Sequence, residues 1–352
     1  MLLCLAPPYF QSKSAIIIAT HQDMSRTHPE LLKKSKIIVI LGPTASGKSE
    51  LAVKLAQKFN GEIISADSRQ VYKGLDIGSG KVLRDSIFLP YIYKEIEHHL
   101  LDVASPKRTF TVVQYQKLAK KALQKIFKKG KIPIICGGTG FYIDALIYDY
   151  QFPEVAPQPK LRKQLEEKLT EQLFKQLKKL DPQRAKNIDK NNRRRLIRAL
   201  EIVLTIKKPV PSLASLWGST SLQESVHYRV LKIGIKKSPK ELKRLIAERL
   251  KKRLNQGLIK EVKKIHNPSV GRGLSWQRLD DLGLEYRYVS RYLQGLITKK
   301  EMVEAILKES WHYTKRQMIW FKRDRKIIWI NNKKEAERII SLFLERNPQA
   351  SA

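Results

Sequence analysis

The chain has 352 residues and carries 69 Lys and Arg against 33 Asp and Glu, a formal charge of +36. With 42% apolar and 29% charged residues it can bury a core, which excludes a disordered or collagen-like polymer, and its excess positive charge points to a polyanionic partner, RNA or DNA. Two cysteines, Cys4 and Cys136, are too few for a disulfide framework or a Cys-based zinc site, and no window approaches the roughly 20 apolar residues of a membrane span.

Residues 1–35 are expected to form a poorly ordered extension. The apolar start has no leading basic residue and is interrupted by Pro7 and Pro8, which argues against a secretory signal, and Met24 offers an alternative first residue. Lys36–Leu41 (KIIVIL) is a short β-branched run suited to a buried parallel strand. Leu51, Ala52, Leu55 and Phe59 then fall on one face of a helix that begins at Lys48 and that Gly61 ends. Glu62–Ser65 (EIIS) predicts a second strand, Thr111–Gly130 a long helix, and Ile132–Cys136 (IPIIC) another buried strand. This alternation predicts an α/β domain with a parallel sheet over residues 36–150.

Three prolines between Gln151 and Pro159 mark the entry to a charged helical stretch, Lys160–Leu180, continued by Arg193–Thr205 and closed by Pro209 and Pro211. Residues 151–222 are therefore expected to be an inserted all-helical lobe. Tyr228–Ile235 (YRVLKIGI) returns to strand character. Residues 223–346 should complete the core with basic helices at Pro239–Ile265 and Lys299–Phe321, a strand at Ile327–Ile330 and a final helix to about Leu344, leaving 347–352 as a tail.

Between the first strand and first helix stands Gly42-Pro43-Thr44-Ala45-Ser46-Gly47-Lys48-Ser49, which fits G-x-x-x-x-G-K-[ST] in the strand–loop–helix setting that this phosphate loop requires. The glycines let the backbone wrap phosphate oxygens, amide N–H groups and the helix start supply partial positive charge, Lys48 adds a full one, and the Ser49 hydroxyl can bind Mg²⁺. The core is thus expected to be P-loop NTPase-like, with a polyphosphate or diphosphate ligand. A plain NTPase would also place a carboxylate at the end of a neighbouring strand. Ile132–Cys136 runs instead into Gly137-Gly138-Thr139-Gly140, whereas Glu62–Ser65 leads to Asp67, where parallel sheets build their sites. That arrangement favours a transferase that holds a diphosphate leaving group.

The segments GPTASGKS (Gly42–Ser49), DSRQVY (Asp67–Tyr72), DIGSGK (Asp76–Lys81), HHLLDV (His98–Val103), GGTGFY (Gly137–Tyr142), RRLIRALE (Arg194–Glu201) and KRQMIWF (Lys315–Phe321) closely resemble the tRNA dimethylallyltransferase (tRNA isopentenyltransferase) family in order and spacing. The resemblance implies transfer of a dimethylallyl group from dimethylallyl diphosphate to N6 of the adenosine just 3′ of the tRNA anticodon. An exocyclic adenine amine is a poor nucleophile, so a carboxylate that takes its proton during attack helps the reaction, and Asp67 is the candidate general base. The alternative for a lone aspartate at this place is a turn or capping role. Diphosphate charge falls to Lys48, to Ser49 with Mg²⁺ and to the loop amides; by resemblance a distant arginine, best matched by Arg249, also reaches it.

By the same resemblance Ser68, Arg69 and Gln70 help hold the target nucleotide, Thr139 contacts the tRNA near its flipped base, and Arg194, Arg195, Leu196, Ile197 and Arg198 belong to a tRNA-contacting stretch. Arg194 and Arg198 share a helix face, but Asn192-Arg193-Arg194 replaces the usual Asp-Pro-Gln of the family, so individual contacts there stay open. Basic and aromatic residues interleave from Tyr313 to Lys326, a pattern that suits either RNA contact or packing of Trp320 and Phe321. His98 and His99, neighbours on a strand, would point to opposite faces and share no metal, and no Cys/His cluster has the spacing of the zinc finger found in some eukaryotic relatives. The expected protein is a cytoplasmic monomer that acts on the tRNA anticodon stem-loop, with Mg²⁺ as cofactor. An adenylate isopentenyltransferase, a P-loop kinase and a non-catalytic RNA-binding protein are the alternatives.

Overall fold

The computed structural model describes residues 35–86, 90–209, 228–269, 271 and 273–345. Nearly all of the expected N-terminal extension, the C-terminal tail, and the end of the expected insertion with Pro211 lie outside the described residues. The strands are β1 (Lys36–Leu41), β2 (Gly61–Ala66), β3 (Ile92–Tyr93), β4 (Ile96–His99), β5 (Ile132–Gly137), β6 (Arg229–Ile235) and β7 (Ile328–Ile330). They form one sheet in the order β3-β4-β2-β5-β1-β6-β7. Every pair is parallel except β3 with β4.

Helix α1 (Lys48–Lys58) follows β1, α2 (Val112–Lys128) precedes β5, and α3 (Gly140–Ile147) follows it. Side chains alternate along β1. Ile37, Val39 and Leu41 face Leu123 and Ile126 of α2 and Ile143 and Leu146 of α3, whereas Ile38 and Ile40 face Val53 and Leu55 of α1 and Ala336 and Ile340 of the last helix. Burial on both faces is why these strands read as unbroken apolar runs. Helix α2 starts with a capping box, in which the Thr111 side chain accepts from Gln114 N and the Gln114 side chain accepts from Thr111 N.

The inserted lobe comprises α4 (Pro159–Glu166), α5 (Thr170–Leu180), α6 (Pro182–Asn187) and α7 (Arg193–Ile206). It has a core of its own, with Leu165, Leu173, Leu177, Leu196 and Leu200 at its centre. A third core joins α8 (Pro239–Asn255), α9 (Leu258–His266), α10 (Trp276–Leu282), α11 (Leu284–Leu293) and α12 (Lys299–Phe321) to Val71, Tyr72 and Leu75. Helix α13 (Lys333–Glu345) closes the chain on the sheet.

Two helices expected as continuous are broken. Lys160–Leu180 divides into α4 and α5, and Pro239–Ile265 divides at Gly257, whose φ of 97° no helix accommodates. Helices α10 and α11 and the β3–β4 hairpin went unread, because each is short and α10 and α11 are split by Gly283 at φ 74°. His98 and His99 do lie on opposite faces of β4: His98 is buried and bonds the Ile96 carbonyl, while His99 meets Glu62.

Candidate active site

The parallel order sends the chain out of β1, β2 and β5 at the same edge, so the three loops that follow them converge. The first is the phosphate loop. Gly47 holds φ 87° at the N-cap of α1, and Ala45, with a Cβ, is also left-handed at φ 62°, local strain of the kind concentrated at binding sites. Ser46 N donates to Pro43 O at 3.3 Å and Lys48 Nζ donates to the same carbonyl at 3.2 Å. The Ser46 hydroxyl is buried without a hydrogen-bond partner among the described residues. Burial, and next the charge of Arg249, lower the Lys48 ammonium from its ordinary value. Both features are those of a cradle built for an anion.

Thr44 is held from two distant helices. Its N–H donates to Gln317 Oε1 of α12 at 2.8 Å, and its hydroxyl accepts from Arg249 Nη1 of α8 at 2.8 Å. The structure therefore brings Arg249 to the phosphate loop across 205 residues of sequence. Burial, followed by the neighbouring Arg253, brings its guanidinium down to about 10. Gln317 also donates to Gly138 O at 2.8 Å and so ties the first converging loop to the third.

Asp67 sits in the second loop. Its Oδ1 accepts from Arg69 N at 2.8 Å and Gln70 N at 3.3 Å, an Asx turn. Among the described residues Oδ2 accepts no hydrogen bond, and Asp67 lines the same 800 Å³ cleft as Thr44, Lys48, Ser49 and Arg249. The turn thus occupies one oxygen of the carboxylate and leaves the other for the base role expected of it. Ser68 N donates to Thr139 Oγ1 at 3.1 Å, so Thr139, at the N-cap position of α3, bonds across to the second loop instead of capping its own helix.

Several side chains are less available than the sequence suggests. The Gln70 amide is spent within the protein, with Oε1 accepting from Ser65 Oγ and Nε2 donating to the carbonyls of Ser79 and Gly80. Within the expected tRNA-contacting stretch, the Leu196 and Ile197 side chains are buried in the lobe core at 0% and 7% exposure and pack there instead of facing solvent. Arg198 bonds Glu201 and the Val155 carbonyl inside the lobe. Arg194 and Arg195 are exposed, and Arg194 also lines the cleft, 3.3 Å from Asp281. Trp320 donates to Asp144 at 2.8 Å and Phe321 is 3% exposed, which assigns these aromatics to packing.

The sequence reading missed one wall of the cleft. Gly283, Leu284, Glu285, Tyr286 and Arg287, at the junction of α10 and α11, face the phosphate loop, and Tyr313 of α12 stands beside Thr139 and Asp67. Gly283 between two short apolar-periodic segments was the available signal. Ser49, in the first turn of α1, is exposed to the cleft and also reaches Cys136, whose thiol burial pushes up to about 11.

Comparison with known proteins agrees with this fold. The IPP transferase family model matches residues 70–324, and an isopentenyl transferase model matches residues 35–89. A tRNA dimethylallyltransferase from Anoxybacillus flavithermus is 38% identical over 296 residues, covering 84% of this chain and 90% of the relative. One from Carboxydothermus hydrogenoformans is 39% identical over 305 residues, covering 86% and 93%. Among solved structures, a tRNA delta(2)-isopentenylpyrophosphate transferase from Staphylococcus epidermidis matches with a TM-score of 0.61 at 34% identity, covering 89% of this chain and all (100%) of that one. A eukaryotic dimethylallyltransferase acting on tRNA matches with a TM-score of 0.71 at 25% identity, covering 89% of this chain and 80% of its own. A shared fold, an intact phosphate loop and identity over most of both chains place this protein in the IPP transferase family.

Proposed function

We propose that the chain transfers the dimethylallyl group of dimethylallyl diphosphate to N6 of the adenosine just 3′ of the anticodon in tRNA, releasing diphosphate. The observation that carries this reading is that the free oxygen of Asp67 and the cationic phosphate-holding set open into one cleft. The relatives, named for this transfer, support it.

In the reaction the N6 amine attacks the allylic carbon of the donor, the bond from that carbon to the diphosphate oxygen breaks, and its electron pair leaves with the diphosphate. The N6 proton passes to Asp67 Oδ2, while the two backbone amides hold Oδ1 and fix the carboxylate plane. Lys48, Arg249 and the loop amides of 42–49 take the charge that grows on the leaving group, the Arg249 guanidinium being steered by Thr44. Thr139 and Ser68 join the acid's loop to the start of α3, and Arg194 and Arg195 offer charge to RNA phosphates at the lobe's edge.

Mg²⁺ fits this site. The Ser49 hydroxyl is a hard oxygen donor open to the cleft, and this cation takes few protein oxygens when phosphates and water complete its shell. Bound there beside Lys48, it would neutralise diphosphate charge. We further propose that one copy acts alone, because phosphate loop, acid and lobe all border a cleft within a single chain. No helix among the described residues is long and apolar enough to cross a membrane. We propose the cytoplasm as the site of action because the proposed acceptor is tRNA.

The test incubates purified protein, Mg²⁺ and radiolabelled dimethylallyl diphosphate with unmodified tRNA, and with AMP and ATP in parallel, then digests and identifies the labelled nucleoside. Label on a tRNA adenosine alone is expected. Label on free AMP would instead make it an adenylate isopentenyltransferase, and absence of transfer to any acceptor would remove the prenyl-transfer reading.

A further inference from the structure

The segment 76–81 (DIGSGK) follows the Asp67 loop and lies between two sets of partners. On its inner side the carbonyls of Ser79 and Gly80 accept from Gln70 Nε2 at 3.5 and 3.2 Å, and the Ser79 carbonyl also faces Arg249 Nη2 at 3.5 Å. The approach is close: a Cβ on Gly80 would meet the guanidinium groups of Arg249 and Arg253. Arg249 forms no ion pair among the described residues. Among the described residues its hydrogen bonds are to the Thr44 hydroxyl and this carbonyl.

On its outer side the segment is gripped by one carboxylate. Glu261 of α9 accepts at Oε2 from Asp76 N at 3.0 Å and Ile77 N at 2.6 Å, and at Oε1 from Gly78 N at 3.0 Å and the Tyr286 hydroxyl at 2.9 Å. Successive backbone amides converging on an anion form a nest, and bonds to an ionised acceptor are among the strong ones. A Cβ on Gly78 would lie 2.6 Å from the Tyr286 ring, so ring, glycine and carboxylate lock together. The far end is anchored separately: the buried Lys81 ammonium bonds the Tyr72 carbonyl at 2.9 Å and pairs with Asp76 and Asp102.

We propose that Glu261 is a positioning residue for the diphosphate site: by holding the amides of Asp76, Ile77 and Gly78 it sets the Ser79 carbonyl that, with the Thr44 hydroxyl, aims Arg249 at the phosphate loop. Among the described residues Glu261 makes no hydrogen bond to the phosphate loop or to Asp67, and its route to the diphosphate-holding cations is the Ser79 carbonyl and Arg249. The inference rests on the diphosphate site proposed above.

The probe is inorganic pyrophosphate with Mg²⁺, titrated against the full chain as wild type, Glu261→Gln, Glu261→Asp, Arg249→Ala and the Glu261→Gln/Arg249→Ala double variant. Melting temperature and affinity for unmodified tRNA are read on each. Glu261→Gln turns one acceptor into a donor facing an amide; it is expected to weaken pyrophosphate binding about tenfold, to leave tRNA affinity unchanged, and to add nothing in the Arg249→Ala background. Glu261→Asp, which keeps the charge, should recover part of the loss. Unchanged pyrophosphate affinity in Glu261→Gln overturns the proposal, as does an equal loss in both backgrounds, or a fall in tRNA and pyrophosphate affinity together. Should Glu261→Gln not fold, Tyr286→Phe removes one of the donors to Glu261 and must show a smaller, Arg249-dependent loss. A wild type that binds pyrophosphate but prenylates no tRNA defeats the functional reading and leaves the positioning role standing, whereas one that binds no pyrophosphate defeats both.

Discussion

Because Oδ1 of Asp67 already accepts from two backbone amides, its amide analogue can keep the turn while losing the base. Asp67→Asn is therefore expected to lower the single-turnover transfer rate by about 10²–10⁴-fold with little change in melting temperature. A rate within a few-fold of wild type would remove Asp67 from proton transfer. Asp67, Lys48 and Ser49 were legible in the sequence because each lies in a short motif whose chemistry depends on local spacing. Gln317 was not: its two partners, Thr44 and Gly138, are brought to it only by folding, 273 and 179 residues away in sequence. The burial of Leu196 and Ile197 was not legible for a related reason. A motif that touches a ligand also carries the residues that fold it, and only burial separates the two kinds.

Among the elements, α12 and the outer half of the sheet give two expectations. Gln317 is 5% exposed and, among the described residues, the one side chain that bonds both Thr44 N and Gly138 O. Gln317→Leu leaves the part-buried Thr44 N–H and the buried Gly138 carbonyl unpaired, at up to about 1–3 kcal/mol each. It should raise KM for dimethylallyl diphosphate by about tenfold or more while leaving tRNA affinity unaltered; equal effects on both substrates would mean that α12 as a whole has shifted. The second expectation concerns Glu62 of β2, which is 0% exposed and bonds His99 of β4 at 2.8 Å and Lys129 and Lys131, at the end of α2 and just before β5, at 2.8 and 3.0 Å. Burial pushes its carboxyl up, but the bonds from Lys129, His99 and Lys131 outweigh that and hold it down to about 2, against an ordinary 4.5. The folded state then binds fewer protons than the unfolded state in this window. The contribution is complete above about pH 4.5 and is lost as pH falls toward about 2. Glu62→Gln should cost about 2 kcal/mol at pH 7, seen in thermal melting, and progressively less below pH 4.5; a cost independent of pH would show that packing, not charge, is what Glu62 supplies. Long periodic elements such as Lys299–Phe321 were legible to the residue. The breaks at Gly257 and Gly283 were not, since a lone glycine inside a helical pattern reads equally as a tolerated defect.

Across the whole molecule the charge of +36 is not spent uniformly, and helix α7 shows how it divides. Arg198 is committed to the buried Glu201, whose carboxyl burial raises but which Arg162, the Gln158 amide and Arg198 together bring down to about 2. Arg194 on the same helix has a side chain 81% exposed, lines the cleft, and meets Asp281 of α10 at 3.3 Å. A surface pair of this kind is worth about 0–1 kcal/mol, so an RNA phosphate can displace Asp281 at small cost. The lobe and the C-terminal helices therefore meet at the cleft mouth through a contact that an incoming polyanion can exchange. With an unmodified anticodon stem-loop titrated between about 0.05 and 0.3 M KCl, log Kd should rise linearly with log salt. Arg194→Ala should lower that slope by about one and leave the melting temperature unchanged. Arg198→Ala should leave the slope unchanged and lower the melting temperature, because it strips a partner from a fully buried carboxylate. If the two substitutions exchange these signatures, Arg198 is the RNA ligand and the lobe must open its Glu201 cluster to bind.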